Sequence, residues 1–261
     1  MSFDPAPAAS ALHAARLARG QLAPLDPAIA PRDEAAGAAV QRALALRMGV
    51  GAPAGFKIGA TAVRMQEHLG IRHPAAGFLA ADDVHASGAV LPYSAYVNVG
   101  VECELAVRLG RDLPPGPCTV EQAAAAVGEV FAAIEVVEGR YGELAAVGVP
   151  TLIGDQFFQA ASVIGAPGPV AAGEAAGLAA RIMIDGDERD RGVGADLLGE
   201  PMRCLAWLAG SPVAAAFGGL RAGQVVLLGS VTPPVWLAEV RPPVTVTVSF
   251  PPLPDVTLTL A

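Results

Sequence analysis

The 261-residue sequence has little that suits it to a charged polymer or a bilayer. Lys and Arg number 17 against 25 Asp and Glu, the net charge is −8, and no Lys/Arg-rich stripe stands out. Aromatic residues are 5% of the chain, too few for a base-stacking platform, and with the acidic balance this argues against a nucleic-acid partner. No apolar run reaches the ~18 residues that suggest a membrane-spanning helix. Met1-Ser2-Phe3-Asp4-Pro5 lacks the basic region and apolar core of a signal peptide. Cys103, Cys118 and Cys204 are an odd number without metal-ligand spacing, which reads as a reduced, cytoplasmic protein. His13, His68, His73 and His85 form no HExxH or paired-ligand pattern. There is no Gly-x-Ser-x-Gly elbow, Walker A loop or Gly-x-Gly-x-x-Gly turn, so serine-esterase chemistry and nucleotide cofactors are not implied.

What remains is a globular chain, 53% apolar, long enough for one large or two modest cores. The first part reads as helical: Ala11 to Ala18 closed by Gly20, Glu34 to Met48 capped by Asp33, and Ala62 to Leu69 between Thr61 and Gly70. From Val97 onward strands dominate, at Val97–Leu109, Val130–Val137, Phe157–Ile164 and Leu178–Ile184. Thr119-Val120-Glu121-Gln122 is a capping box, Asp185-Gly186 a hairpin turn, and Pro201 opens a helix expected to run to Phe217. Val244–Val248 and Val256–Leu260 alternate at period two, as half-buried strands do. The expectation is an α+β fold, with a mostly helical N-terminal region over residues 1–80 and a β-rich catalytic domain over 81–261.

The chemistry concentrates in Val101-Glu102-Cys103-Glu104-Leu105-Ala106-Val107. On a strand, Glu102 and Glu104 share one face while Cys103, Leu105 and Val107 share the other. Ala133-Ile134-Glu135-Val136-Val137 embeds a third carboxylate in a second apolar strand. If the three converge, like charges ~4 Å apart cost about 4 kcal/mol per pair at an effective dielectric of 20. A hard divalent cation with oxygen ligands resolves that cost. The competing reading is two ordinary half-exposed strands whose glutamates never meet. Lys57, between Gly55 and Gly59, is either a group that steadies an enolate or carries a proton, or a lysine snorkelling from an exposed strand.

With those residues in view, the chain resembles the 2-keto-4-pentenoate hydratase and oxalocrotonate decarboxylase branch of the fumarylacetoacetate hydrolase superfamily. The segments that carry the resemblance, in order, are Gly55 to Thr61, Gln66 to Gly77, Val101 to Ala106, Ile134 to Arg140, Gly199 to Ala209, and Leu220 to Ser230. The resemblance implies a small N-terminal α/β region on a mixed β-rich roll that holds Mg2+ or Mn2+. It implies Glu102, Glu104 and Glu135 as metal ligands and Lys57 and Asp155 as catalytic residues. Arg140, Gln156, Gly229 and Ser230 are its substrate-binding candidates; surface exposure is the alternative for Arg140. The implied substrate is a small 2-oxo or 2-hydroxydienoic acid of aromatic meta-cleavage catabolism, handled by a hydratase-like lyase. Homo-oligomerisation is expected, or a complex with a homologous hydratase or decarboxylase.

Three departures from the family pattern bear on activity. Ala75, in Pro74-Ala75-Ala76-Gly77, occupies the place of the hydratases' proton-transferring acid, which favours a 4-oxalocrotonate-type decarboxylase as the alternative. Gly154-Asp155-Gln156-Phe157-Phe158 keeps the acid but replaces the polar Asn and Ser, giving a more apolar pocket. The late loops carry Arg241-Pro242-Pro243 and Pro251-Pro252. An acylpyruvate hydrolase and a catalytically inactive partner subunit are the remaining alternatives.

Overall fold

The computed structural model describes residues 3–261. Helix α1 (Ala6–Ala18) starts five residues earlier than expected, with Pro7 in the first turn where a missing N–H costs nothing. It ends on Arg19, left-handed at φ 49°, one residue before the anticipated Gly20. Helix α2 (Glu34–Arg47) begins where Asp33 accepts the Ala36 N–H at 2.8 Å, the cap its sequence announces. After β1 (Gly55–Gly59), helix α3 (Val63–Leu69) ends on left-handed Gly70 but is capped by Ala62 without a side-chain bond. Thr61 is instead buried, its side chain filling the space over Gly229.

Next come β2 (Ala75–Leu79), β3 (Val84–Ala86), β4 (Ala89–Leu91) and the long β5 (Val99–Leu109). The expected capping box forms at α4 (Val120–Ala126), with Thr119 and Gln122 bonding each other's backbone N–H. Strand β6 (Val127–Glu138) follows, then α5 (Leu144–Val147), α6 (Val149–Gly154) and β7 (Gln159–Ile164). β7 starts later than expected because Gln156, Phe157 and Phe158 all have positive φ, which no strand accommodates. Strands β8 (Ala179–Ile184) and β9 (Asp187–Val193) are joined by Asp185-Gly186, both at positive φ as a type I′ turn needs.

The helix expected from Pro201 to Phe217 is two, α7 (Pro201–Ala209) and α8 (Pro212–Ala216). Ser211 accepts the Ala214 N–H at 3.1 Å and Pro212 has no N–H to continue the first helix. The chain closes with β10 (Val225–Ser230), β11 (Val235–Trp236), β12 (Val244–Ser249) and β13 (Val256–Leu260).

These strands make two sheets in a mixed α+β fold. One is an eight-stranded half-barrel ordered β2-β1-β10-β5-β6-β7-β3, with β11 on the edge of β5; the other is five-stranded, ordered β4-β13-β12-β8-β9. Register divides the half-barrel's residues cleanly. Phe56, Ile58, Phe78, Leu105, Val107, Ile134 and Val136 point into the main core, which β12, β13 and the helices cover. The opposite face carries a small separate apolar cluster, Leu79, Ala106, Phe131, Ala133, Ile164, Val225 and Leu227. On that same face, by strand alternation, lie Lys57, Glu102, Glu104, Glu135 and Ser162.

Candidate functional site

Pairing between β5 and β6 puts Glu102 directly opposite Glu135, and Glu104 opposite Ala133, all on one face. One carboxylate oxygen from each of Glu102, Glu104 and Glu135 can be chosen so that all lie within 4.8 Å of one another. Glu104 and Glu135 are fully buried, whereas Glu102 is partly open. Lys57, also buried, reaches across from β1 with Nζ 2.9 Å from Glu135 Oε1. That contact is an ion pair without hydrogen-bond alignment: neither Glu135 oxygen has a hydrogen-bond partner, and neither does Glu104 Oε1. Glu104 Oε2 accepts the Gly229 N–H at 2.7 Å. Gly229 is at φ +119°, and a Cβ there would lie 2.6 Å from the Thr61 methyl, so only glycine brings this N–H to the carboxylate.

Three carboxylates against one ammonium leave two negative charges in excess. Burial, Glu135 and, against them, Lys57 set the Glu102 carboxyl at about 8. Burial and the other two carboxylates hold Glu104 well above the usual range, despite Lys57 and the Gly229 N–H. Without a cation the folded protein therefore binds protons that the unfolded chain, with ordinary carboxyls, gives up at lower pH. A raised folded-state pKa adds stability below the unfolded value and loses it as pH rises through the folded one. Chelator-treated protein is accordingly expected to melt at a lower temperature at pH 9 than at pH 6. A melting temperature flat or rising across that window contradicts the buried, uncompensated cluster.

The unpartnered oxygens are the test of what could occupy this site. Carboxylate oxygens without donors, a formal charge of −2 when all three are ionised, and a candidate ligand group made of carboxylates alone suit a hard divalent cation. Ser162 stands opposite Glu135 on β7, its Oγ 3.2 Å from Gln159 Nε2, and both are buried. Sequence reasoning missed this pair, because nothing local tells which β7 residue faces Glu135.

Asp155 and Arg140, the other polar residues the sequence singled out, meet in a second cluster. Arg140 Nη2 and the Tyr141 hydroxyl, at 2.5 Å, both donate to Asp155 Oδ2. Arg16 of α1 donates Nε to Asp155 Oδ1 and Nη2 to the Asp155 carbonyl, each at 2.7 Å. Arg140 Nε completes the cluster with Glu138 at 3.2 Å, leaving only Nη1 unpartnered. Burial and the Asp155 charge keep the Tyr141 phenol protonated, its pKa well above the usual value. Arg140 is thus buried, not a surface arginine.

Between the two clusters runs the Gln156–Phe158 turn, with φ of 61°, 49° and 69°. Left-handed backbone costs roughly 1–2 kcal/mol per non-glycine residue, so the turn must be held from outside. Its backbone presses onto Gly77, where a Cβ would lie 2.4 Å from the Gln156 carbonyl oxygen. Gln156 Nε2 donates to the Phe78 carbonyl at 2.9 Å and its Oε1 is left free. The Phe157 ring lies 5.2 Å from Lys57 Nζ, and Phe158 joins it edge-on to Tyr141. Ser230 does not open toward these groups: its Oγ bonds the Thr232 carbonyl and the Cys103 backbone.

Comparison with known proteins adds to this geometry. The family model described as fumarylacetoacetate (FAA) hydrolase C-terminal matches residues 59–253. A 2-keto-4-pentenoate hydratase from Burkholderia vietnamiensis is 34% identical over 182 residues, covering 69% of either chain. The 4-oxalocrotonate decarboxylase from Pseudomonas putida G7, complexed with magnesium and adipate, superposes with a TM-score of 0.88 at 23% identity, over 98% of this chain and 97% of that one. A fumarylpyruvate hydrolase from Pseudomonas aeruginosa with Mn2+ and pyruvate gives 0.61 at 20% identity, over 79% and 88%. Among the described residues no helix is long and apolar enough to cross a membrane.

Proposed function

The chain belongs to the fumarylacetoacetate hydrolase family, and on that premise we propose that it is a divalent-metal-dependent lyase, 2-keto-4-pentenoate hydratase-like, acting on small 2-oxo or 2-hydroxydienoic acids. The observation that carries this reading is the convergence of Glu102, Glu104 and Glu135 around unpartnered oxygens with Lys57 alongside. These three glutamates would hold the cation, Mg2+ or Mn2+. When bound, it supplies Lewis-acid stabilisation of negative charge developing on a 2-oxo oxygen.

The chain's own residues supply the rest. Lys57, buried beside Glu135 and under Phe157, orients the substrate's 2-oxygen and carries a proton to or from the enol. Gly229 holds Glu104 through its N–H, so the carboxylate presents Oε1 to the site. The Gln156 side-chain oxygen and Arg140 Nη1, two of the buried polar atoms without a partner, would take a substrate hydroxyl and carboxylate. The apolar cluster from Leu79 to Leu227 on the same face excludes water from one side.

Hydration would protonate the dienol and add water across the conjugated double bond. In decarboxylation the bond to the distal carboxyl breaks, its electron pair enters the same enolate, and a proton replaces the lost carbon dioxide. One observation favours this second reading: position 75, where hydratases carry an acid, is a buried alanine on β2 opposite Gly59. The experiment is a panel of short 2-hydroxydienoates and oxalocrotonates with and without Mg2+ or Mn2+. Metal-dependent water addition supports the hydratase, metal-dependent carbon dioxide release the decarboxylase. Failure of both, with metal bound, overturns the lyase.

A further inference from the structure

Asp155 is fully buried, and both its carboxylate oxygens already accept from charged or phenolic donors. Three of its roughly four acceptor positions are taken by these donors, and it immediately precedes the three left-handed residues that cap Lys57. We propose that Arg16, on the N-terminal helix, is a positioning residue for the active site, acting through Asp155 to hold the Gln156–Phe158 turn and so keep Phe157 over Lys57. This rests on the assignment of Lys57 to the reacting site.

The fork of Arg16 matches the corner it grips. Nε takes the Asp155 side chain and Nη2 its backbone carbonyl, both at 2.7 Å, so the one guanidinium fixes the residue's rotamer and its peptide plane together. Leu12, one turn earlier on the same face of α1, packs at Gly154, where an added Cβ would lie 3.5 Å from the Leu12 Cδ1 and 3.0 Å from Val40. Helix α1 therefore grips the last two residues before the turn, one by packing and one by charge. The cluster is internally balanced, with Arg16 and Arg140 against Asp155 and Glu138. Loss of Arg16 leaves Asp155 still paired with Arg140 and Tyr141, so the fold survives. Loss of Asp155 strands two guanidiniums and would report only on folding.

The turn itself is held by backbone bonds and ring packing, none of which fixes the Asp155 carbonyl at its start. Its other hydrogen bonds run from Gln156 Nε2 to the Phe78 carbonyl, from the Gln156 N–H to Ile153, from the Phe157 N–H to Leu152, and into the Gln156 and Phe158 carbonyls from the Gln159 and Glu138 N–H groups, and the rings of Phe157, Phe158 and Tyr141 stack edge-on. With Arg16 gone, the Asp155–Gln156 peptide keeps the Gln156 N–H bond to the Ile153 carbonyl but loses the donor on its own carbonyl, so the left-handed residues can relax. Phe157 then leaves Lys57, while Glu102, Glu104 and Glu135, fixed on β5 and β6, stay in place.

The experiment compares wild type with Arg16→Gln and Arg16→Lys. Mn2+ affinity, amide exchange at 156–158, and kcat and KM on the substrate the panel selects are measured, with and without millimolar methylguanidinium. The expected result is Mn2+ affinity within about twofold of wild type, faster exchange confined to the turn, and kcat reduced ~10–100-fold, the scale of an ångström misplacement near a reacting group. Lysine, which cannot span both acceptors, should not restore activity, whereas methylguanidinium should restore part of it to Arg16→Gln. Unchanged exchange at the turn in Arg16→Gln overturns the proposal, as does a loss matched by an equal loss of Mn2+ binding. If wild type turns over nothing in the panel, the lyase assignment fails, and exchange alone still decides the role of Arg16.

Discussion

Replacing Lys57 by methionine is expected to lower kcat by about 10²–10⁴, the range for losing a positioned proton carrier, while divalent-metal affinity, freed of proton competition at high pH, does not fall. The two halves of that result come from one contact. Lys57 Nζ lies 2.9 Å from Glu135 Oε1, so it competes with any cation for that oxygen while serving the substrate. Methionine keeps the unbranched shape under Phe157 and removes the charge. Lys57 also lowers the carboxyls' affinity for protons, so its loss raises proton competition near neutrality. Measured on the high-pH plateau, where affinity no longer climbs with pH, Mn2+ should bind more tightly to Lys57→Met than to wild type. Turnover lost together with metal affinity would make Lys57 a structural counter-ion and nothing more.

Glu104→Gln is expected to reverse the usual relation between a buried substitution and stability. Glutamine keeps an acceptor for the Gly229 N–H and the shape of the side chain, but removes one of three mutually repelling charges. In chelator at pH 8 the variant should melt above wild type. In Mg2+ at one hundred times its dissociation constant, wild type gains about 2.7 kcal/mol by mass action and the variant gains far less, so the order inverts. Activity should fall on the order of 10³-fold, since the metal's stabilisation of a developing oxyanion is worth several kcal/mol and each 1.36 kcal/mol is tenfold. A variant that melts below wild type in both conditions would mean that Glu104 is a conventional packed side chain whose charge does not matter.

The shared face of two of the three converging glutamates was legible because strand alternation is a strict rule. Glu102 and Glu104 had to share a face, and the register that brings Glu135 opposite Glu102 makes one cluster of two segments. The register itself was not legible from spacing; the resemblance supplied the pairing of motifs. Asp33, the Thr119 capping box and Asp185-Gly186 were read correctly because each is settled within four residues. The strand expected from Phe157 failed for the opposite reason. Phe157 and Phe158 have high strand propensity, and their left-handed backbone goes with contacts distant in sequence, among them Gln156 on Gly77 and Phe78 and Arg16 on Asp155. Arg16 lies 139 residues from Asp155, in an Ala-rich helix with no motif to mark it. Ser162 and Gln159 likewise acquire meaning only once β7 is placed beside β6. The break between α7 and α8 has its signal in Ser211-Pro212, set within apolar residues that a single helix would also suit.

The central claim is that Glu102, Glu104 and Glu135 together hold one divalent cation. Calorimetric titration of chelator-stripped protein with Mn2+ tests it directly, in wild type and in the Glu102→Gln, Glu104→Gln, Glu135→Gln triple variant. One Mn2+ per chain, displaced by Mg2+ and absent in the triple variant, is the expected result. Equal stoichiometry and affinity in the two proteins would contradict it.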